Sequence, residues 1–459
     1  MEQITKPHCG ARLDRLPDCR WHSSMFAIVA FGLLVCWSNA VGGLILAQLK
    51  ALGWTDNSTT ATFSAITTAG MFLGALVGGI IGDKTGRRNE FILYEAIHIA
   101  SMVVGAFSPN MDFLIACRFV MGVGLGALLV TLFAGFTEYM PGRNRGTWSS
   151  RVSFIGNWSY PLCSLIAMGL TPLISAEWNW RVQLLIPAIL SLIATALAWR
   201  YFPESPRWLE SRGRYQEAEK VMRSIEEGVI HQTGKPLPPV VIADDGKTPQ
   251  AVPYSALLTG VLLKRVILGS CVLIAMNVVQ YTLINWLPTI FMTQGINLKD
   301  SIVLNTMSMF GAPFGIFIAM LVMDKIPRKT MGVGLLILIA VLGYIYSLQT
   351  SMLLITLIGF FLITFVYMYV CYASAVYVPE IWPTEAKLRG SGLANAVGRI
   401  SGIAAPYAVA VLLSSYGVTG VFILLGAVSI IVAIAIATIG IETKGVSVES
   451  LSIDAVANK

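Results

Sequence analysis

Three short charged signatures occur twice in this 459-residue chain, about 240 residues apart. Carboxylate and guanidinium groups placed together form bidentate ion pairs, which make and break without any covalent step. The residues concerned are Asp83, Arg87, Glu138, Arg145 and Glu204 in the first copy and Asp324, Arg328, Glu380, Arg389 and Glu442 in the second. Three matches in the same order at nearly one spacing indicate that the chain contains a duplicated half.

The elements that must position these charges are membrane-spanning helices. The chain is 55% hydrophobic and 12% charged, whereas an average soluble domain is about 25% charged. So much apolar surface exceeds what one soluble core buries, and the composition therefore indicates a membrane protein. The formal net charge of +7 does not indicate nucleic-acid binding, because the Lys and Arg residues concentrate in alternate connections, as the positive-inside rule requires.

Apolar stretches long enough to cross a hydrocarbon layer of ~30 Å occur six times in each half. They are predicted at 25–49, 61–82, 90–108, 112–137, 149–172, 179–202, 266–293, 302–323, 329–348, 353–378, 391–415 and 419–440. The predicted fold class is an all-α polytopic membrane protein with twelve transmembrane helices in two pseudo-symmetric six-helix bundles.

The predicted domain order follows from these spans and from the charged stretch between the halves. It is an N-terminal tail at 1–24, a bundle at 25–202, a linker at 203–260, a second bundle at 261–441 and a C-terminal tail at 442–459. Within the linker, Ser205 to Glu227 is predicted to form one amphipathic helix, because its apolar residues recur at helical spacing.

The number of spans and the placement of basic residues predict the orientation of the chain. An even number of spans places both termini on one side, and the basic connections place that side in the cytoplasm. The first 24 residues are polar and basic without the pattern of a cleavable signal. The chain is therefore predicted to be a multi-pass protein of the bacterial inner membrane with cytoplasmic termini and linker.

Four motifs resemble those of the major facilitator superfamily over essentially the whole chain. They are the DKxGRR loop from Asp83, the RGxW turn from Arg145, PESPRWL from Pro203 and ETKG from Glu442. They are typical of the branch that holds the sugar porters and organic-ion carriers, and the chain resembles the inner membrane metabolite transport proteins of enteric bacteria. This resemblance implies a secondary transporter that moves a small polar metabolite by alternating access. Fold alone does not fix the ligand, so a sugar-like solute, a sugar acid and another organic acid all stay open.

The resemblance implies that the duplicated charges form an inner gate, closed while the cavity faces outward. Such a gate needs contacts that form in one state and break in the other. The alternative is that they are solvated loop charges, since exposed ion pairs contribute only about 0–1 kcal/mol. Their repetition in both halves favours the gate.

Polar groups in the middle of predicted spans are candidates for substrate contact, because such groups are costly in lipid. Amides can fix hydroxyl or carboxyl groups, and aromatic rings can stack on apolar faces. The alternative for each is a hydrogen bond between helices or an interfacial aromatic residue. The candidates are Asn157, Trp158, Tyr160, Asn277, Gln280, Tyr281, Asn285, Trp286, Asn305, Tyr369, Tyr372, Asn395 and Arg399.

The residues with which sugar porters hold a hexose are mostly replaced in this chain. By the resemblance, the paired glutamines of the seventh span fall on Ala275 and Met276. The fifth-span glutamines fall on Ser153 and Tyr160, and the tenth-span tryptophan falls on Ala375. A hexose held in the usual way is therefore not expected, whereas a polyol, a sugar acid or another metabolite is.

Two arginines, Arg118 and Arg399, lie well inside predicted spans and away from the span ends. By the resemblance, Arg118 corresponds to an arginine that pairs with a first-span aspartate in proton-coupled sugar porters. The corresponding segment here, from Cys36 to Ala40, has no acid. Arg399 resembles the arginine of organic-anion carriers, where a guanidinium meets a substrate carboxylate. Its alternative is a bond to backbone carbonyls or a position at the interface.

Glu95 and His98, with Arg118, are the candidates for proton coupling. Glu95 and His98 are one helical turn apart and would share a face of the third span, where a carboxyl–imidazole pair could exchange a proton. The third span of this fold is usually peripheral, which argues against that role. Proton symport, and an organic-anion carrier or uniporter without proton coupling, therefore both stay open.

No pattern in the chain indicates an enzyme. There is no HExxH or GxSxG motif, and the chain has four histidines. No catalytic residue, metal site or cofactor is predicted. The predicted partners are a small-molecule substrate, a proton if transport is coupled, and the lipid bilayer, and the protein is predicted to be a monomer. A transporter-like substrate sensor is the alternative outside the carrier class.

Overall fold

The structure is a computed structural model that describes residues 7–17, 19–141, 145–240, 253–323, 325–383 and 386–444. Asp324 lies outside the described residues. The backbone of Arg145 begins a helix, but its side chain is outside the description as well. The predicted tails at 1–24 and 442–459 and the linker at 203–260 are described only in part.

All regular secondary structure in the described residues is helical. The first half contains α1 (Cys9–Asp14), α2 (Arg20–Gly32), α3 (Trp37–Ala40), α4 (Gly42–Ala51), α5 (Asn57–Thr85), α6 (Arg87–Ala106), α7 (Met111–Val130), α8 (Phe136–Tyr139), α9 (Arg145–Asn157), α10 (Ser159–Leu170) and α11 (Ala176–Tyr201). Between the halves lie α12 (Pro206–Ser211), α13 (Tyr215–Thr233) and α14 (Tyr254–Leu257). The second half contains α15 (Gly260–Thr293), α16 (Leu298–Met309), α17 (Gly311–Val322), α18 (Arg328–Ser347), α19 (Met352–Cys371), α20 (Val378–Glu380) and α21 (Lys387–Ile439).

Each of the twelve predicted spans coincides with a helical segment. Nine helices in the described residues are long and apolar enough to cross a membrane. One of them, Arg389–Ile439, has 51 residues, which at 1.5 Å per residue is about 77 Å and long enough to cross twice. Gly417, with a φ of 64°, interrupts it between the two spans predicted there. Helix α6 and the pair α9–α10 account for the third and fifth predicted spans.

Several spans depart from regular α-helix. The first contains a 3₁₀ turn at Leu33–Cys36, and Trp158 separates α9 from α10. Two π-helical segments, Thr131–Gly135 and Tyr372–Tyr377, follow α7 and α19 directly. These π segments lie about 240 residues apart, so the duplication extends to local backbone geometry. Single π turns inside helices occur often at functional sites.

Contacts divide the chain into two compact units, and neither unit corresponds to one half of the sequence. The first unit comprises Met1–Ser38, Gly70–Gly156 and Leu184–Gly246, and the second comprises Asn39–Ala69, Asn157–Gln183 and Lys247–Lys459. The second unit therefore joins α4, α10 and parts of α5 and α11 to the helices of the second half. The bundle boundaries predicted from the sequence stay a prediction.

Helices from both halves of the sequence approach each other closely within the second unit, at a contact that we name the α4–α15 seam. A Cβ atom built on Gly43 would lie 2.4 Å from the carbonyl oxygen of Ile284 and 2.9 Å from that of Asn285. Only glycine permits this approach of two backbones. In the same unit, Asn57 donates from Nδ2 to the Ser414 hydroxyl at 2.9 Å.

In the first unit, α1 packs on the helices that connect the two halves. The sequence predicts one amphipathic helix there, but the structure has two, α12 and α13, because the chain turns at Gly213, whose φ is 71°. The N-terminal segment, α12 and α13 bury one apolar cluster: Cys9, Leu13, Leu16, Trp208, Leu209, Ala218, Met222, Ile225 and Val229. The apolar stripe of the connecting helices is thus covered by α1, a contact that was not predicted.

Two arginines of the N-terminal segment bind an acidic residue of α13. Arg12 donates to both oxygens of Glu226, from Nε at 3.0 Å and from Nη2 at 2.7 Å, and Arg15 donates to Glu226 at 2.7 Å. Arg12 also pairs with Glu219. Burial raises the pKa of Glu226, but the hydrogen bonds from Arg12 and Arg15 outweigh it and hold the pKa below its ordinary value. Such a fork-shaped, half-buried pair is stronger than an exposed one.

Reversing the charge of Arg12 is expected to detach α1 from α13. In Arg12→Glu a carboxylate would face Glu226 and Glu219, and loss of the pair should cost about 2–4 kcal/mol of local stability. Hydrogen–deuterium exchange of residues 9–16 should therefore rise. It should fall again when Glu226→Arg is added, because opposite charges are then restored.

Unchanged exchange in Arg12→Glu would show that the apolar cluster alone holds α1. The lowered pKa of Glu226 gives the same contact a pH dependence. A carboxyl with a lowered folded-state pKa stabilises above its unfolded-state value of about 4.3 and loses that contribution as the pH falls through the folded-state pKa.

Candidate functional site

Polar side chains of α10 and α16 lie together in the interior of the second unit. Asn305 donates from Nδ2 to the hydroxyl of Ser164 at 3.0 Å, and both side chains are buried. This bond holds the amide group and leaves Asn305 Oδ1 buried without a hydrogen-bond partner among the described residues. An oxygen in that position can accept a hydrogen bond from a ligand hydroxyl.

Tyr160 and Tyr367 contribute to the same polar region. Their ring centroids are 5.5 Å apart in an edge-to-face arrangement. The Tyr367 hydroxyl faces Gln280 and Tyr160, yet it is buried and has no hydrogen bond of normal geometry in the described part of the chain. Tyr367 was missed by the sequence analysis, which selected Tyr369 two residues later. The Tyr369 hydroxyl instead donates to the Val272 carbonyl at 3.1 Å.

Two glycines of α21, Gly398 and Gly402, pack against α15 beside the predicted candidates Asn277 and Tyr281. A Cβ atom on Gly398 would lie 3.0 Å from Asn277 Nδ2, and one on Gly402 would lie 3.3 Å from the Tyr281 ring. Asn277 donates to the Leu273 carbonyl of its own helix at 2.7 Å. The amide oxygen and the remaining amide hydrogen of Asn277 are therefore the groups open to further bonding.

Arg399 follows Gly398 directly on α21, in the part of the helix that packs on α15. Its Nη1 atom is buried and makes no hydrogen bond within the described residues. Arg399 as a whole is half-buried, and a buried guanidinium N–H group without an acceptor is costly in the interior of a membrane protein. A ligand carboxylate would remove this cost, because carboxylates match the donor geometry of arginine.

Several other candidates have contacts of their own. Trp286 is fully buried in an apolar cluster, and Asn285 contributes its backbone to the α4–α15 seam. Tyr372 stacks on Tyr377 with ring centroids 5.0 Å apart. Asn395 is exposed and donates to a carbonyl of its own helix at 2.9 Å. The apolar cluster consists of Ala61, Trp286, Ile290, Val409, Ala410, Leu413 and Val421.

The break in the fifth span holds the remaining two candidates. Asn157 is the last residue of α9, and Trp158 separates α9 from α10. The Trp158 ring is partly exposed and lies edge-on to Phe310, with centroids 6.4 Å apart. Trp158 therefore packs against the junction of α16 and α17, and part of its ring stays exposed.

The charged signatures of the first half form one cluster in the first unit. Arg87 pairs with Glu138 at 2.9 Å and with Asp83 at 3.1 Å. Glu204 accepts hydrogen bonds from the backbone N–H groups of Arg87 at 2.7 Å and Arg88 at 3.3 Å. It thereby satisfies free donors at the start of α6. Burial raises the pKa of Glu204, although these backbone hydrogen bonds oppose the effect.

The second half builds the equivalent cluster in the second unit. Arg328 donates to both oxygens of Glu380, from Nε at 3.0 Å and from Nη2 at 3.1 Å. Glu442 accepts from the backbone N–H groups of Arg328 at 2.8 Å and Lys329 at 3.1 Å. Burial raises the pKa of Glu442, but the backbone hydrogen bonds outweigh it, and the net pKa is lowered. The two equivalent carboxylates differ because Glu442 is less deeply buried than Glu204.

Two further kinds of hydrogen bond occur in both charged clusters. The sequence analysis did not select the tyrosine, serine and threonine residues that make them. The Tyr139 hydroxyl donates to the Pro203 carbonyl at 2.8 Å, and the Tyr377 hydroxyl donates to the Ile441 carbonyl at 3.0 Å. A hydroxyl likewise donates to the central glutamate of each cluster: Ser205 to Glu138 and Thr443 to Glu380. These residues recur at the spacing of the repeat, which is the signal that could have identified them.

Arg389, the last described arginine of the charged signatures, contacts an aromatic ring of α14. Its guanidinium lies over the ring of Tyr254, 5.2 Å from the centroid. Asp324 and the side chain of Arg145 fall outside the described residues, so their predicted gate roles stay predictions.

The three candidates for proton coupling are buried in the first unit. Glu95 Oε2 lies 3.9 Å from His98 Nδ1. Arg118 donates from Nη1 to the backbone carbonyl of Ser38 at 2.7 Å. The first span thus offers Arg118 a carbonyl oxygen at the place where the sequence lacks an acid. No group of three or more His, Cys, Asp or Glu side chains that could hold a metal occurs among the described residues.

Comparisons with known proteins agree with this architecture. A family model described as the Major Facilitator Superfamily matches residues 26–406. The chain is 99% identical over 459 residues, 100% of each chain, to the metabolite transport protein YdjK of Escherichia coli (strain K12). It is 44% identical over 455 residues to the inner membrane metabolite transport protein YdjE of the same organism, covering 98% of this chain and 99% of that protein.

Among solved structures, the fold is similar to a partially occluded inward-open conformation of the xylose transporter XylE from E. coli. The TM-score is 0.73 at 18% sequence identity, and the match covers 93% of this chain and 100% of that chain. At this identity the likeness concerns the fold.

Proposed function

Since the chain belongs to the major facilitator superfamily and is a secondary transporter of small metabolites, we propose that its substrate is a small hydroxylated organic acid. The predicted fold class, the family, the transport function and the expectation that the protein is not an enzyme are confirmed by the comparisons. So is its place as a multi-pass protein of the inner membrane. The substrate class and the residues that bind it are the proposal.

Arg399 carries the proposal. Its Nη1 atom is buried without a hydrogen bond in the described residues, next to the glycine through which α21 packs on Asn277. A neutral sugar offers only hydroxyl groups, which form weaker bonds to a guanidinium than a carboxylate does. A carboxylate therefore matches Arg399 better than a neutral polyol does.

The hydroxyl groups of the proposed substrate follow from Asn305 and Tyr367. Asn305 Oδ1 can only accept a hydrogen bond, and the Tyr367 hydroxyl can donate or accept one. Both atoms are buried and unsatisfied in the described part of the chain. These two residues by themselves favour the second candidate, a neutral polyol, and Arg399 distinguishes the two.

Replacing Arg399 with glutamine is expected to remove affinity for organic acids and to spare neutral polyols. Loss of one buried, charge-assisted contact costs about 2 kcal/mol or more, which is roughly a 30-fold rise in Kd. The measurement is a thermal-shift titration of purified protein with D-gluconate and D-glucuronate as acids and myo-inositol and D-xylose as neutral probes.

Arg200→Gln is the matched control, because Arg200 is an exposed arginine at the end of α11. Binding of a neutral probe that exceeds binding of both acids in the wild-type protein would replace the proposal with the polyol. Counterflow of a bound probe into vesicles would separate a transporter from a sensor, since a sensor binds without exchange.

The two charged clusters are proposed to hold the helix ends of each half together during alternating access. Arg87 and Arg328 each bind a glutamate of their own half. Each cluster also ties a span to the segment that follows the sixth span of that half, through Glu204 or Glu442. Such ties favour movement of each half as a rigid body. Cytoplasmic placement of both clusters and both termini, and a monomeric state, belong to the same proposal.

A further inference from the structure

Helix α6 carries a line of buried polar groups whose hydrogen bonds are incomplete. Glu90, Tyr94, Glu95 and His98 are each at most 2% exposed. Glu90 Oε1, the Tyr94 hydroxyl, both Glu95 oxygens and His98 Nε2 have no hydrogen-bond partner among the described residues. Native structures rarely leave buried polar atoms unsatisfied, and a run of them on one helix requires a reason.

Glu95 and His98 are the centre of this line. His98 Nδ1 lies 3.3 Å from the Ser191 hydroxyl of α11 and 3.9 Å from Glu95 Oε2. The imidazole is thus within ion-pair distance of the carboxyl but too far for a hydrogen bond. Gly124 of α7 permits this position, because a Cβ atom there would lie 3.1 Å from the His98 Cβ.

The groups that face the pair come from several elements. From α7, Arg118 acts electrostatically on His98. From α11, the Ser191 hydroxyl faces both side chains. Along α6, Tyr94 and Glu90 continue the line. The first span contributes the Ser38 carbonyl, which accepts from Arg118, and its Cys36–Ala40 segment contains no acid.

We propose that Glu95 is the proton-binding residue of this transporter and that His98 is its positioning partner. A carboxyl group inside the membrane whose oxygens have no hydrogen bond of normal geometry in the described residues is far less costly as the neutral acid than as the anion. The anion becomes tolerable when a donor moves within reach, and the imidazole 3.9 Å away is placed to do so. A shift below 1 Å would make that hydrogen bond.

The proton balance is simple. Loading adds a proton from water to a Glu95 oxygen and forms an O–H bond. Release breaks that bond and returns the proton to water, and an N–H group of His98 then donates to the carboxylate. Tyr94 and Glu90 lie four and eight residues before His98, so they share its helix face and continue the line toward the charged cluster at Arg87.

Arg118 helps to decide which member of the pair holds the proton. An imidazolium at position 98 would add a second positive charge beside the guanidinium, which is unfavourable at low dielectric. The carboxyl of Glu95 can take a proton without adding charge. Proton binding at Glu95 therefore adds no positive charge beside the buried guanidinium, whose contact with the first span is the Ser38 carbonyl.

The test reads proton binding directly and needs no substrate. Infrared difference spectra of the purified protein in D₂O, recorded over a pH series, report a protonated carboxyl by its C=O stretch. A band that titrates in the wild-type protein should be absent in Glu95→Gln and shifted in Glu95→Asp. It should persist in Glu90→Gln, the matched control on the same helix face. His98→Gln should move its titration midpoint.

Persistence of the band in Glu95→Gln, its loss in Glu90→Gln alone, or its absence from the wild-type protein would overturn the proposal. If Glu95→Gln does not fold, Glu95→Asp decides, because only a band of residue 95 shifts in that variant.

A second measurement connects the site to transport and rests on the proposed function. In vesicles with D-gluconate or D-glucuronate, Glu95→Gln should retain counterflow but lose accumulation driven by an imposed pH gradient. Retained accumulation would overturn the coupling role. Absence of counterflow in the wild-type protein would instead contradict the proposed substrates, and the infrared result would still decide the proton site.

Discussion

Replacing Gly43 with leucine is expected to separate α4 from α15 and to abolish transport. A Cβ atom at this position would lie 2.4 Å and 2.9 Å from two backbone carbonyl oxygens of α15. Backbone cannot yield as a flexible side chain can, so the helices must move apart. Overpacking of this kind costs about 1–3 kcal/mol in ordinary cores, and we expect about 3 kcal/mol because both contacts are to backbone.

The measurements are the thermal unfolding midpoint of the purified protein and counterflow in vesicles. Gly169→Leu is the matched control, since Gly169 lies in α10 of the same unit and a Cβ there meets nothing within 4 Å. We expect Gly43→Leu to lower both quantities and Gly169→Leu to leave both near the wild-type values. Wild-type stability and transport in Gly43→Leu would show that the seam opens without cost.

Replacing Arg328 with alanine is the second change for which a large effect is expected. Arg328 is 6% exposed and donates to both oxygens of Glu380. Its removal leaves the carboxylate without its cation. Breaking a fully buried pair costs about 3–5 kcal/mol. The Glu380 side chain is 34% exposed, and water can screen part of its charge, so we expect about 2 kcal/mol.

A double-mutant cycle separates the free energy of the Arg328–Glu380 interaction from the other effects of each substitution. Glu380→Gln should cost less in the Arg328→Ala background than in the wild-type protein, because its partner is already absent. Arg328→Lys should lie between the wild type and alanine, since lysine keeps the charge but loses the two-pronged geometry. Arg87→Ala provides the equivalent change in the first half and should behave alike. If the free-energy costs of Arg328→Ala and Glu380→Gln simply add in the double variant, the two side chains do not interact directly.

The two equivalent charged clusters are the part of the structure that the sequence predicted best. Three charged signatures at one spacing predicted two equivalent halves, and the structure builds Arg87 with Glu138 and Arg328 with Glu380 in the same way. The hydroxyl groups that complete each cluster, Ser205 and Thr443, were not selected. A serine and a threonine recurring at the same spacing carry little information alone, whereas rare charges in an apolar chain stand out.

The sequence did not predict which neighbours the side chains of the substrate candidates would contact. Trp286 and Tyr160 are both aromatic residues of predicted spans, yet Trp286 fills an apolar cluster while Tyr160 lies edge-on to Tyr367. A one-dimensional pattern reports that a polar or aromatic residue is inside the membrane. It does not report which helix that residue faces, because the facing helix is chosen by packing between segments far apart in sequence.

The N-terminal segment also makes a contact that depends on residues far apart in the sequence. The apolar stripe of α12 and α13 was evident from helical spacing, but Gly213 divides it, and α1 covers it through Arg12 and Glu226. The side chains of Arg12 and Glu226 are 214 residues apart in the chain, and no local pattern links them.

The sequence by itself determined that this protein crosses the membrane in two similar sets of helices and that each set carries one charged cluster. The length of an apolar stretch and the repetition of rare charged residues are local properties, so both can be recognised from the sequence alone. Only the tertiary structure decided that Glu95 and His98 share a buried place with Arg118 nearby, and that Asn305, Tyr367 and Arg399 keep unsatisfied atoms. Hydrogen-bond satisfaction depends on neighbours that only folding supplies.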